Sequence, residues 1–255
     1  MSHEDHSTRP DPTRRRARPA AARPDSSELA ADAALYLEEG AGCLEAGDVE
    51  GAVRAYRRAT DVAGHDAACW FHLGFATALI GDPASAVDAY TRAAQLSPGE
   101  YETWYNLGNA YLDLGRPEDA VEAYRAALSR HDSDHEVWNN LGNALVQVDR
   151  GSEACASFDR ALALHPGYDL SWNNLGNALE ELGQLPEARK AFEMAVDLVP
   201  DNATYRLNLA SALARDGETS PAVRHLARAV ELAPEIRSLL PGFAEFAPLL
   251  SELAR

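Results

Sequence analysis

Trp104-Tyr105-Asn106-Leu107-Gly108-Asn109-Ala110 is followed by Trp138-Asn139-Asn140-Leu141-Gly142-Asn143-Ala144, and that by Trp172-Asn173-Asn174-Leu175-Gly176-Asn177-Ala178. Each copy starts 34 residues after the previous one. A fixed period of this length marks an array of stacked units, each a single supersecondary element. With Tyr101 as position 1, the frame extends in both directions without an insertion. It covers 33–66, 67–100, 101–134, 135–168, 169–202 and 203–236. Position 8 holds Gly40, Gly74, Gly108, Gly142, Gly176 and then Ala210. Position 20 is Ala from Ala52 to Ala222, and position 27 is Ala from Ala59 to Ala229. Position 24 holds Tyr56, Tyr90, Tyr124, Phe158, Phe192 and then Leu226, and position 32 holds Pro98, Pro166, Pro200 and Pro234.

The residue types explain a helical hairpin. Positions 4, 7, 8 and 11 recur at i, i+3, i+4, i+7 and form one helical stripe; positions 20, 24 and 27 form a second. Gly81 and Gly115, followed by Pro83 and Pro117, stop the first helix and start the second. Small residues at 8, 20 and 27 let the helices approach, with Trp at 4 and an aromatic ring at 24 as the large members of the interface. Trp70, Trp104, Trp138 and Trp172 are therefore expected to be mostly buried. A single hairpin cannot cover its own apolar face, so neighbours must stack.

This pattern resembles the tetratricopeptide repeat: W-x2-L-G, then Ala at 20, an aromatic at 24, Ala at 27 and Pro at 32. The resemblance covers six repeats. It implies an all-α, right-handed superhelical α-solenoid that binds partner proteins and is not an enzyme. The expected organisation is a disordered Arg- and Pro-rich tail over 1–27, repeats over 28–236, and a C-terminal capping helix or pair of turns over 237–255. In the last segment Phe243, Phe246 and Leu250 share a helical face. Repeat 1 has Tyr36 and Glu39 at positions 4 and 7, the more polar face of a terminal unit.

Charge divides the chain. Residues 1–25 carry six arginines against four acidic residues and almost no large apolar side chain, a composition that cannot bury a core. Arg14-Arg15-Arg16-Ala17-Arg18 is a cluster of the kind that meets nucleic acid or an anionic surface, but a solvated, solubilising tail is the simpler reading. No apolar stretch follows the arginines, which argues against a signal peptide. No run of about twenty apolar residues argues for a membrane span. The whole chain is −17, so with +2 in the tail the remainder carries −19. An acidic body disfavours nucleic acid as ligand, because phosphate contacts need Arg and Lys. It favours a partner that is neutral to basic. Cys43, Cys69 and Cys155 are scattered, which fits a reducing, cytoplasmic setting better than a disulfide framework.

Motifs for chemistry are missing. There is no phosphate loop, no GxSxG and no HExxH. His131-Asp132-Ser133-Asp134-His135 has metal-ligand residue types but falls at a junction between repeats, where a polar turn is the simpler explanation. No cofactor is expected.

The informative surface is the other side of each first helix, positions 2, 5, 6, 9 and 13, which in this family lines the concave groove. Asn106, Asn109, Asn139, Asn140, Asn143, Asn173, Asn174, Asn177 and Asn208 all lie at positions 5, 6 or 9; the only other Asn is Asn202. Asn is a poor helix former, so this crowding needs a reason. A side-chain amide offers a donor and an acceptor together, and a ladder of them suits an extended peptide backbone. The ladder is similar to that of the O-linked N-acetylglucosamine transferase repeat domain, without any transferase domain here. The alternative is that these amides pack helix against helix. A chaperone-type carboxylate clamp would need basic residues, and none occupies these positions in repeats 2–5. The groove is expected to differ between its ends. Phe71, His72, Phe75 and Tyr105 would take a bulky apolar anchor, and Glu180 and Glu181 a basic side chain. A rival expectation is a self-assembling structural component that uses its end repeats and cap.

Overall fold

Helix limits follow the repeat punctuation closely. The first helices are α1 (Ser26–Glu45), α3 (Ala67–Leu79), α5 (Tyr101–Asp113), α7 (His135–Gln147), α9 (Asp169–Glu181) and α11 (Ala203–Arg215). The second helices are α2 (Val49–Val62), α4 (Pro83–Leu96), α6 (Pro117–Leu128), α8 (Gly151–Leu164), α10 (Leu185–Leu198) and α12 (Thr219–Leu232). This computed structural model describes residues 26–242 and 244–247. The twelve helices form six antiparallel pairs in a right-handed superhelical solenoid, with no strand among the described residues. The expected tail lies outside the described residues, except that Ser26 and Ser27 already belong to α1.

Local chemistry sets the helix ends. Asp66 and Asp134 cap first helices and Asp48 and Asp82 cap second ones, each carboxylate accepting from a backbone N–H of the first turn. The turn from first to second helix needs one left-handed residue. Gly47, Gly81, Gly115, Gly183 and Gly217 supply it with φ between 72° and 78°. In repeat 4 the same site is Asp149, with φ 57°.

Packing turns on position 24. The rings of Tyr56, Tyr90, Tyr124, Phe158 and Phe192 are fully buried, each lying on the glycine at position 8 of its own hairpin. A Cβ on Gly142 would stand 2.5 Å from Phe158 Cε1, far inside contact distance.

Trp70, Trp104, Trp138 and Trp172 are equivalently placed and mostly covered, as expected, without being fully enclosed. Each indole N–H donates to the carbonyl six residues back: Gly64 at 2.9 Å, Pro98 at 3.0 Å, Asp132 at 2.8 Å and Pro166 at 2.8 Å. Arg206 replaces Trp in repeat 6 and makes the same bond to Pro200. Trp104 and Trp138 form the floors of furrows of about 490 and 670 Å³ between successive second helices. The indole is an amphipathic wedge here, with its N–H tied to the preceding turn and one face open.

Past α12 the chain continues the 34-residue frame, and its described residues do not complete a helix. A short helix α13 (Ile236–Leu239) gives way to 3-10 turns over Leu240–Gly242 and Ala244–Phe246. Pro241 lacks the N–H that a continuous helix would need. Leu240 falls at position 4 and Ala244 at position 8 of a seventh unit, and Leu240 and Phe246 are fully buried on the α11–α12 core. Of the expected capping helix or pair of turns, the described part is a short helix followed by turns, placed as a broken first helix. Phe243 and Leu250 lie outside the described residues.

Candidate functional site

Successive first helices touch one another, from α1 against α3 to α7 against α9, while the second helices are spread apart with furrows between them. The first-helix side is therefore the inner, concave one. Positions 6, 9 and 13 face it.

The amides there form a network with one another and with neighbouring hydroxyls. Asn139 and Asn173, at position 5, are buried at 4% and 8% exposure. They face the next first helix rather than the groove. Asn139 Oδ1 accepts from Ser171 Oγ at 2.9 Å and Asn174 Nδ2 at 3.2 Å; Asn173 Oδ1 accepts from Asn208 Nδ2 at 2.8 Å. Asn139 Nδ2 also donates to Asn140 Oδ1 at 3.3 Å. Asn140 Nδ2 reaches Tyr105 Oη and Asn109 Oδ1, both at 3.4 Å, and Tyr124 Oη donates to Asn109 Oδ1 at 2.6 Å. Asn208 also reaches Asn177 Oδ1 at 3.4 Å. Helix-to-helix bridging thus accounts for part of the Asn crowding. Asn106 donates only to the Glu102 carbonyl of its own helix, and Asn143 makes no hydrogen bond among the described residues. Asn177 is exposed.

The aromatic end is split by burial. Phe71 is half-buried, edge-on to Tyr90 at 5.8 Å and to His72 at 5.6 Å. His72 stacks on Tyr56 at 5.4 Å, and burial lowers its pKa. Tyr105 leans on Tyr124 at 6.2 Å. Phe75 and, one turn on, Leu79 stay open at 40% and 53% exposure. Phe71, His72 and Tyr105 belong largely to the wall, and Phe75 with Leu79 forms the free apolar patch.

At the other end Glu180 is already engaged. Arg215 donates to Glu180 Oε1 at 2.6 Å and lies 3.7 Å from Glu245 of the terminal 3-10 turn. Ser211 Oγ donates to the same Glu245 oxygen at 2.7 Å. Burial raises the Glu180 pKa, with Arg215 opposing and Glu245 reinforcing the shift. A basic ligand would have to displace Arg215 from Glu180, so of the expected pair only Glu181 is open. Elsewhere the ion pairs lie on second helices and edges, such as Arg125–Glu153 and Arg189–Asp216. Asp113 and Glu181, at position 13, face the groove, and Glu102 and Glu136 stand in the first turns of α5 and α7; none of the four has an ion-pair partner among the described residues. The groove therefore holds uncompensated negative charge.

No group of three or more His, Cys, Asp and Glu able to hold a metal occurs among the described residues. His131 packs against Tyr101 and His135 stacks on His165. Cys69 is buried, and burial pushes its thiol up to about 11, away from nucleophilic reactivity. No described helix is long and apolar enough to cross a membrane. The ring pairs at the repeat junctions were not singled out from sequence; histidines recurring at position 31, as His131 and His165, were the available signal.

Solved structures of known proteins share this architecture. MamA matches with a TM-score of 0.62 and 25% identity over 65% of this chain and 97% of that one. YrrB, described as a tetratricopeptide-repeat protein with an unusual peptide-binding site, matches at 0.64 and 20% identity, over 74% and 98% of the two chains. PilF of Pseudomonas aeruginosa matches at 0.66 and 20% identity, over 88% and 99%. No curated protein sequence matches the chain. The family model for the C-terminal domain of cilia and flagella-associated protein 70 matches residues 6–240, which takes in the whole array. The chain thus belongs to the tetratricopeptide-repeat proteins, in the family of the cilia and flagella-associated protein 70 C-terminal domain.

Proposed function

We propose that this protein is a non-enzymatic adaptor or scaffold that takes an extended peptide, or an extended segment of a partner protein, along its concave groove. One observation carries the proposal. The groove combines amides with unused hydrogen-bonding capacity, an open apolar patch at Phe75 and Leu79, and carboxylates without partners. That combination suits a neutral to basic strand with one apolar anchor. Amides serve the backbone, the patch serves the anchor, and the charge steers the approach. The likeness to YrrB, described as having a peptide-binding site, is one of fold and adds only that the architecture can serve this use.

Asn106 and Asn143 are the cleanest probes, because neither bridges to another helix. Peptides selected from a displayed library on the full chain should bind the Asn106→Ala/Asn143→Ala variant more weakly. The expected loss is about 1 kcal/mol per backbone bond, with an unchanged Tm. Undiminished binding of every selected peptide would end the groove reading. Self-assembly through the end repeats is the rival. It calls for an open apolar end, and Leu240 and Phe246 fill the C-terminal one.

A further inference from the structure

We infer that the groove carries a subsite for one arginine or lysine side chain at its N-terminal edge, between the first turns of α3 and α5. The inference rests on the peptide-groove reading above and specifies where the ligand's positive charge goes. A cavity of about 320 Å³ lies there, walled by Phe71 and bounded by Ala67, Ala68, Ser97, Glu100, Glu102 and Thr103.

The cavity exists because this junction lacks the side chains that fill the equivalent space in later repeats. Between repeats 3 and 4, Tyr101 at position 1 packs on His131 at position 31, ring centroids 4.8 Å apart. Between repeats 4 and 5, His135 and His165 stack at 4.7 Å, with Tyr168 edge-on at 4.7 Å. Between repeats 5 and 6, Tyr205 Oη donates to Asp169 at 2.7 Å. In repeat 2 the corresponding residues are Ala67 and Ser97, too small to meet. What remains is an aromatic wall with two carboxylates at its mouth.

Those carboxylates stand at the N-terminus of α5, which favours their charge. No cation meets them, however: neither Glu100 nor Glu102 has an ion-pair partner among the described residues. Arg130, which reaches the same turn, donates to the Pro98 carbonyl and lies over the Trp104 ring, so it is spent. An arginine or lysine fits each part of the site. Its aliphatic stem covers Phe71 and the alanines, and its cation meets the carboxylates at the rim. A carboxylate would be repelled, and an aliphatic side chain would leave Glu100 and Glu102 unserved.

The test uses the ¹⁵N-labelled full chain and the blocked peptide acetyl-Gly-Gly-Arg-Gly-Gly-amide, with its norleucine counterpart as control. The arginine peptide should shift the amides of Ala68, Phe71, Glu102 and Thr103, and norleucine should not. In Glu100→Gln/Glu102→Gln these shifts should fall about tenfold at fixed peptide concentration, as expected for lost charge-assisted contacts. Ala67→Tyr/Ser97→His, which rebuilds the ring pair of the next repeat, should abolish them by filling the cavity. Equal shifts from norleucine, shifts centred at Glu181, or shifts that survive the filled cavity would each overturn the subsite. The groove reading fails separately. In Asn106→Ala/Asn143→Ala the arginine shifts persist at the cavity if the subsite is right, whether or not longer peptides need the amides.

Discussion

At the scale of single residues, the molecule compares its own solutions to one packing problem. Five repeats pair Gly at position 8 with an aromatic ring at position 24; repeat 6 pairs Ala210 with Leu226. The added methyl and the lost ring go together, because a Cβ at position 8 collides with the ring. Gly142→Ala alone should cost about 1–3 kcal/mol by overpacking. Phe158→Leu alone should cost a similar amount through the cavity it leaves. The double variant copies repeat 6, so its cost should fall well below the two single losses taken together, a coupling that denaturant melts can measure. Additive losses would show that the ring and the glycine do not meet. The same scale shows what the sequence could not reveal about the site. Positions 5 and 6 differ by one residue, yet Asn139 is buried while Asn140 borders the groove. Which amide turns inward depends on how closely the next first helix approaches, and a single helix's periodicity carries no information about its neighbour.

At the scale of elements, the hairpins were legible in the sequence because each boundary has its own local cause. A left-handed glycine at position 15 marks every first-to-second turn except one, and Asp caps or a Pro in the first turn reinforce several helix starts. The tryptophans were harder. Their helical stripe is plain in the 34-residue pattern, but their incomplete burial follows from the gap between successive second helices, a property of stacking. The exception among the turns yields a prediction. Asp149 holds φ 57° where its counterparts are glycines. Left-handed backbone strains an L-residue by about 1–2 kcal/mol, and the extra freedom of glycine in the unfolded chain offsets part of its relief. Asp149→Gly should therefore raise stability by about 0.5–1 kcal/mol. A calorimetric Tm that falls would mean that Asp149 makes a compensating contact in the turn.

At the scale of the whole molecule, stability in a stacked array is a chain of neighbour interfaces, and the last interface is the irregular one. The segment after α12 keeps the repeat frame at Leu240 and Ala244 but breaks its helix at Pro241, so repeat 6 is covered by turns. Phe246 is fully buried in that cover, against the core formed by α11 and α12. Phe246→Ala removes an aromatic side chain worth about 3–5 kcal/mol when buried in a core. In an array the loss should stay local, because each unit contacts only its neighbours. Hydrogen exchange should accelerate across Ala203–Arg215 and Thr219–Leu232 and hardly change across Tyr101–Asp113 and Pro117–Leu128. The uncovered end should also begin to self-associate, visible as concentration-dependent light scattering, while wild type does not. Uniform acceleration from α2 to α12 would mean that the array opens as one unit and that the terminal turns hold far more than repeat 6. Scattering by the wild-type chain at the same concentrations would instead revive assembly through the ends, since the cover would then have failed to close the apolar face it sits on.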